Sequence, residues 1–507
     1  MPAKPARGGT RQILPRIRTI ERKVKTDIKQ IREGGAFTFR QRLALTVSLS
    51  LPAMLAQLSS ILMQYIDATM VGRLGANDSA AIGLVSTTLW LFWGVCSAMT
   101  SGYSVQVAHK IGGKDFKGAR SVLRQGVTAT LIFSAGMALI GVLISPVLPY
   151  WLGGQEEISG QASLYFVVFV GALPLLSLNY LAGGMLRCAG NMKVPSYVSG
   201  LMCLLDCVFN FLLIFPTRTM HIGSLDFTMP GAGLGVLGAA LGTVGAEVVC
   251  AAILMYYVCM RQPELRLKGA PGSFRLTKEV TRKAVHISVP MTVEHAIICG
   301  AQIAITMIVA PLGVVAIAAN AFAVTAESLC YMPGYGIGDA ATAIVGQCHG
   351  AGRSVLMRRF GYMSVGLGIA IMSVMGLLMY IFAPEIMELI TPVKDISRLG
   401  AEVMRIEAWA EPMFAASIVA YGVFVGVGNT TVPAIMNFGS IWAVRLPLAW
   451  LLSKTMGLHG VWIAMCVELT FRGVIFLIRL FATKWWKLPP NPDAEALAVT
   501  TVDGPDA

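Results

Sequence analysis

Polar residues gather at intervals along this chain, and between them lie apolar stretches long enough to cross about 30 Å of hydrocarbon as helices. Twelve are predicted, near residues 44–71, 79–107, 122–149, 160–186, 195–216, 235–260, 285–310, 315–346, 361–385, 402–425, 433–453 and 458–482. The pattern repeats. A shift of 238 residues carries Ser50, Pro52, Gln64, Val71, Leu74 and Gly75 onto Ser288, Pro290, Gln302, Val309, Leu312 and Gly313. The same shift carries Pro174, Gly184, Gly190, Asn191 and Pro195 onto Pro412, Gly422, Gly428, Asn429 and Pro433, with no gap inside either block. Two copies with an even number of spans enter a membrane in the same orientation. The expected fold is therefore all-α and integral to the membrane: twelve transmembrane helices in two six-helix lobes, residues 43–260 and 285–482. A pseudo-two-fold axis along the membrane normal should relate them.

Composition agrees with a lipid solvent: 55% of residues are hydrophobic and 13% charged, with a mean hydropathy of +0.67. The net charge of +13 would raise nucleic acid in a soluble protein, but its distribution follows the positive-inside rule instead. One set of loops carries Lys110, Lys114, Lys117, Arg120 and Arg124, then Arg187 and Lys193, then the basic connection 261–284, then Arg353, Arg358 and Arg359. The opposite loops carry few cations, so both termini are expected in the cytoplasm and the chain in the cell membrane. The first apolar run follows forty polar residues and is too long for a signal peptide, so it should stay in the membrane. Residues 1–42 hold twelve Lys or Arg, with Ile17, Ile20, Val24, Ile28 and Ile31 at helical spacing. They read either as an amphipathic helix on an anionic leaflet or as a basic tail that helps set topology. Residues 483–507 read as a disordered tail. The ten cysteines lie mostly inside apolar spans and read as small buried hydrophobes.

Carboxylates in the middle of a bilayer cost about 2.5–3.5 kcal/mol each on insertion scales, so the few present are informative. They are Asp67, Asp206, Glu247, Glu294, Glu327 and Glu468. Under the repeat shift Asp67 faces Ile305, Asp206 faces Val444, Asn210 faces Leu448, and Ala56 faces Glu294. A polar group confined to one copy is hard to explain by packing. Asp67 and Asp206, with Asn210 one turn beyond, are the leading candidates for binding a coupling ion, H⁺ or Na⁺. Glu468 and Arg472 stand at i and i+4, the favourable order for an ion pair within a helix. Glu247 could pair with an Arg or line a helix interface. Gly233, Gly235 and Gly238 spell GxGxxG but introduce an apolar span, so a nucleotide site is not expected; Gly238 and Gly242 fit close helix packing. With no metal cluster or catalytic motif in view, no enzyme is expected.

Together these residues resemble the multidrug and toxic compound extrusion (MATE) family, over about residues 43–482. Pro52 with Asp67 running into Met70–Gly75 resembles the family's first helix, and Pro290 with Glu294 and Pro311–Gly313 its seventh. Gly190, Asn191 and Pro195 resemble the turn before span 5, Gly238–Thr243 span 6, and Arg445 with Pro447 span 11. The resemblance implies a V-shaped cavity between two lobes and secondary active antiport: export of organic, often cationic, compounds in exchange for H⁺ or Na⁺. Carried over residue by residue, the cation-coupling set becomes Asp67, Asn179, Asp206, Asn210 and Thr243. Asp and Asn are exchanged in span 5 relative to the family order, and the span 10 Asp of one Na⁺-coupled branch has no clear match. In the second lobe the cavity residues would be Glu294, His295, Gln302, Glu327 and Tyr331. No cofactor is implied beyond the coupling ion, and no metal beyond Na⁺ at Asp67, Asp206 and Asn210. The expected partners are a small-molecule substrate and membrane lipids, with neither nucleic acid nor an obligate protein. The competing reading is a flippase for a lipid-linked saccharide precursor, which would use interior cations such as Arg445 and Arg472. 

Overall fold

The computed structural model describes residues 26–222 and 225–486. Eleven helices are long and apolar enough to cross a membrane, and one bent pair makes a twelfth span. The first lobe holds α1 (Phe39–Gly72), α2 (Ala76–Gly112), α3 (Phe116–Ile144), α4 (Glu156–Cys188), α5 (Lys193–Ile214) and α6 (Gly235–Tyr256). The second holds α7 (Lys278–Val309), α8 (Val314–Gly350), α9 (Ser354–Ile390), the pair α10a (Lys394–Glu407) and α10b (Glu411–Val427), α11 and α12 (Leu458–Ala482). Helix α11 consists of Thr431–Gly439 and Leu446–Met456 joined by a widened π-type turn at Ser440–Arg445. Side chains such as Leu139, Ile140 and Leu143 stand exposed along these helices, as hydrocarbon-facing positions do.

Most spans extend past the predicted apolar limits into the flanking polar residues. Thr38 explains one such start: its Oγ1 accepts from Gln41 N while Gln41 Oε1 accepts from Thr38 N, a reciprocal cap for α1. Two expectations need correction. The third span ends at Ile144, short of residue 149, and a separate turn, Leu148–Trp151, follows it. The tenth is broken at residues 408–410 and bends by 62°. Its proline, Pro412, opens α10b, whereas the equivalent Pro174 lies inside the unbroken α4. One unpredicted element is an antiparallel hairpin between α5 and α6, β1 (Pro216–Ile222) with β2 (Leu225–Ala232), in register Pro216↔Ala232 to Ile222↔Leu225.

The backbone repeats as the sequence does. Left-handed or strained conformations recur at Gly75 and Gly313 (φ 132° and 97°), Lys114 and Gly352 (61° and 70°), and Gly190 and Gly428 (85° and 86°), each pair 238 residues apart. Helix α1 packs along α8 and α2 along α7; since α1 repeats as α7 and α2 as α8, this is one contact made twice about the pseudo-two-fold axis.

The end of the bundle that carries the start of α1 and the basic loops is called the basic end here. Near it the lobes approach closely because glycines remove Cβ atoms: Gly102 lies against Ala284 and Ser288, Gly112 against the Gln347 carbonyl, and Gly350 against the His109 carbonyl. Cross-lobe bonds follow, with Ser288 Oγ donating to Met99 O (3.0 Å), Gln106 Nε2 to Val280 O (3.1 Å), Gln347 Nε2 to Cys188 O (2.8 Å) and His109 Nε2 to Gly426 O (2.7 Å). Toward the far end the described hydrogen bonds between lobes become sparse, with Tyr65 Oη donating to Thr325 O (2.7 Å).

Among the described residues all ten cysteines are free, and half are fully buried, as small hydrophobes would be. The terminal expectations change. Ile17, Ile20 and Val24 lie outside the described residues, but Ile28 and Ile31 belong to a helical stretch, residues 26–33, and are buried in protein. They do not lie on a lipid surface. The expected disordered tail begins with structure: Trp485 is buried against Gly361 and Phe424, and its Nε1 donates to Leu480 O. Residues 487–507 lie outside the described residues.

Candidate functional site

In the first lobe the predicted residues form two adjoining groups. Helix α5 places Asp206 and Asn210 one turn apart, with accessibilities of 0% and 1%, and α1 brings Asp67 against them. Asn210 Nδ2 donates both to Asp67 Oδ1 (2.9 Å) and to Asp206 Oδ2 (3.1 Å). The two N–H groups of one amide thereby tie two carboxyl groups together. Gly242 of α6 makes room, because a Cβ there would overlap Asn210 Oδ1. Asp206 Oδ1 and Asn210 Oδ1 are buried without a hydrogen-bond partner.

The second group is Asn179 of α4, whose Nδ2 donates to Glu247 Oε2 of α6 at 2.5 Å. Glu247 is within electrostatic reach of Asp206, and Tyr165 of α4 feels both Asp67 and Asp206. Thr243, one turn before Glu247 on α6, is half-buried and makes no described hydrogen bond. Thus Asp67, Asp206 and Asn210 are joined directly, Asn179 joins through Glu247, and Thr243 only borders them. Among the described residues, none of the three carboxylates has a salt-bridge partner. Two carboxyl groups bridged by one amide, with no counter-charge among the described residues, form a setting that can hold a proton or a small cation. A far-end recess of about 290 Å³ opens between α1 and α5, lined by Ile66, Thr69, Met70 and Phe211 among others.

The second lobe does not gather its five predicted residues into one cluster. Glu294 of α7 is buried and accepts from Tyr421 Oη (2.5 Å) and from Asn437 Nδ2. The imidazole of His295 covers Gly94 on α2, a contact between lobes. Gln302 is exposed in a shallow recess near the far end with Thr306 and Asn320. Tyr331 packs on Phe414 and Tyr335. Glu327 is buried among Glu407 and Glu411, which flank the break in α10, and Arg445 lies within electrostatic reach.

Sequence reasoning missed Tyr421, Asn437, Glu407 and Glu411. The repeat comparison held the signal for all four: they face Gly183, Ser199, Phe169 and Leu173 in the first copy. Glu468 is the center of a structural knot. Its carboxylate receives Arg445 Nε and Nη2 (2.9 and 2.6 Å), Arg472 Nε and Nη2 (2.8 and 2.9 Å) and Ser440 Oγ. The i, i+4 pair is borne out, and the π-type turn of α11 adds the second arginine.

Two pseudo-symmetric helical lobes packed about a central seam, each holding buried, asymmetric carboxylates at membrane depth, define a polytopic membrane transporter. A family profile described as MatE matches residues 52–212 and 290–451, one block in each lobe. The chain therefore belongs to the MATE family. It is 27% identical over 446 residues to the "Probable multidrug resistance protein NorM" of Thermotoga maritima, covering 87% of this chain and 92% of that protein. Its fold matches a solved MATE structure in complex with MaL6 with a TM-score of 0.80 at 19% identity, over 90% of this chain and 98% of the other. A Pyrococcus furiosus MOP superfamily transporter, described by the reverse polarity of its binding pocket, also matches at 0.80, with 18% identity over 91% and 99% of the two chains.

Proposed function

We propose that this protein is a secondary active antiporter that exports organic, cationic compounds in exchange for H⁺ or Na⁺ by alternating access. The observation that carries the reading is the amide-bridged pair Asp67–Asn210–Asp206, its Asp206 and Asn210 fully buried and Asp67 half-buried, with two oxygens unpartnered and no counter-cation among the described residues. Such a pair holds one H⁺ or one Na⁺ far better than none, so its occupancy can bias the arrangement of α1 against α5. An inward-moving monovalent cation gains about 2.3 kcal/mol per 100 mV of membrane potential, before any concentration term. In the second lobe, Glu294 with Tyr421 and Asn437 supplies negative charge for a cationic substrate. The multidrug resistance naming of relatives supports an organic, drug-like substrate. The basic end faces the cytoplasm of a cell-membrane protein, on the positive-inside argument. Closure at that end with a recess at the other fits an outward-facing state.

The flippase reading calls for interior cations free to hold a pyrophosphate. Both arginines on which it rests converge on Glu468.

The test is transport of ethidium by the purified protein in proteoliposomes under an imposed proton or sodium gradient. Acceleration by one gradient and collapse on its dissipation is the expected result. Flux that neither gradient changes would overturn antiport.

A further inference from the structure

The helical stretch at residues 26–33 and the turn after it touch both lobes at once. On the first-lobe side, the Ile28 side chain sits on Gly190, at the turn between α4 and α5, beside Met192. Arg32, almost fully buried, pairs with Glu264 (3.0 Å) and lies over the Phe116 ring of α3. Glu264 is itself held to that lobe, because Gln262 Nε2 donates to it (2.7 Å) and Asn191 Nδ2 donates to Gln262 Oε1 (3.2 Å). On the second-lobe side, Arg353 at the start of α9 donates to three carbonyls at the end of the stretch: Gln30 (3.2 Å), Ile31 (3.3 Å) and Gly35 (2.7 Å). A cation at a helix C-terminus is favoured by the unpaired carbonyls and the dipole there. Gly34, at φ 89°, turns the chain so that Phe37 meets Phe360 edge-on at 5.7 Å. Ile31, at 1% accessibility, is packed as tightly as any core residue.

This segment therefore crosses the seam where the lobes close on one another. Opening at the basic end requires the two sets of contacts to separate, and a stretch this short cannot follow both lobes. We propose that residues 26–37 are a strap that pins the lobes together at the basic end, and that the strap must leave one lobe for that end to open. The proposal rests on the alternating-access reading. It makes the strap a brake on the inward-opening step: any change that weakens either set of contacts raises the inward-open population.

Spin labels at Lys114→Cys and Val355→Cys, exposed at the basic end of the first and second lobes, report the opening as a distance distribution by double electron–electron resonance. The ten native cysteines are replaced in this background. Arg32→Glu sets two carboxylates against each other and is expected to raise the ratio of long to short distances about fivefold or more, the lower range of ordinary coupling energies. Arg32→Glu with Glu264→Arg restores the pair and should return the ratio to that of the parent. Deletion of residues 1–36 should raise it further, and carries the test if Arg32→Glu does not fold. A parent that samples both distances when ion and substrate are exchanged, with strap variants showing the same ratio, would overturn the strap while leaving alternating access intact. A long distance that no variant and no condition populates would overturn both.

Discussion

Glu468→Gln separates what the second lobe needs in order to fold from what it needs in order to transport. One fully buried carboxylate accepts five hydrogen bonds from Ser440, Arg445 and Arg472, which lie on both sides of the α11–α12 contact. Glutamine keeps the shape but replaces one oxygen by an NH₂ group that must face a guanidinium. Ser440 Oγ and Arg472 Nε share Oε1, while Arg445 Nε, Arg445 Nη2 and Arg472 Nη2 share Oε2, so two or three donors lose their acceptor whichever way the amide turns. Each bond to a charged group contributes about 1.5–3 kcal/mol net. Two guanidinium charges are also left without their counter-charge, and removing one partner of a buried pair costs about 3–5 kcal/mol. The losses overlap, so the expected destabilisation is about 3–5 kcal/mol, not their sum. Unfolding in mixed micelles by sodium dodecyl sulfate titration, followed by tryptophan fluorescence, measures it. Below its lowered unfolding midpoint the variant should still couple flux to the ion gradient. A shift under about 1 kcal/mol together with lost coupling would refute the structural assignment and place Glu468 in the transport site.

Two further outcomes follow from the geometry. Tyr421→Phe and Asn437→Ala each remove a hydrogen-bond donor that holds the Glu294 carboxyl group in place, so each should weaken equilibrium binding of ethidium roughly five- to thirtyfold, from about 1–2 kcal/mol per bond. Unchanged affinity in both would remove Glu294 from the substrate path. In the turn before α3, partial burial pushes the Asp115 carboxyl up, but the Lys110 ammonium (2.9 Å) and the Gly118 N–H (2.7 Å) outweigh it and hold it below the usual carboxylate range. A depressed folded-state value adds stability above the ordinary carboxylate range, and that stability is lost as pH falls through the depressed value. Asp115→Ala should therefore cost about 1 kcal/mol near neutral pH as a lost helix cap, and less as acidification protonates the wild-type carboxyl. Thermal midpoints of both proteins across that range provide the check, and a gap that does not narrow would contradict it.

Much of this architecture was legible in the sequence because lipid imposes a simple rule: every span must be long, apolar and helical. The 238-residue shift also implied a seam between two parallel copies, but which helices line it, α1 against α8 and α2 against α7, is visible only in the fold. The break in α10 was hidden because its proline has a counterpart inside the unbroken α4. The asymmetric carboxylates Asp67 and Asp206 were visible by their apolar counterparts, and their bridge through Asn210 required only one helical turn. Glu407 and Glu411 lie within the predicted tenth span, but nothing in the sequence showed that a break in that helix would set them beside Glu327. Tyr421 and Asn437 are ordinary residues until α7 brings Glu294 to them. The strap was half legible: Ile28 and Ile31 showed a stripe, but a stripe does not say whether protein or lipid covers it.

Gradient-driven ethidium flux in proteoliposomes, compared between wild type, Asp67→Asn and Asp206→Asn at matched incorporation, tests the coupling pair most directly. Asparagine keeps the size and the hydrogen bonding of each position while removing its proton and its charge. Both variants should bind ethidium yet show the same flux with and without the gradient. Undiminished gradient-driven flux in both would contradict the assignment of the coupling ion to Asp67, Asp206 and Asn210.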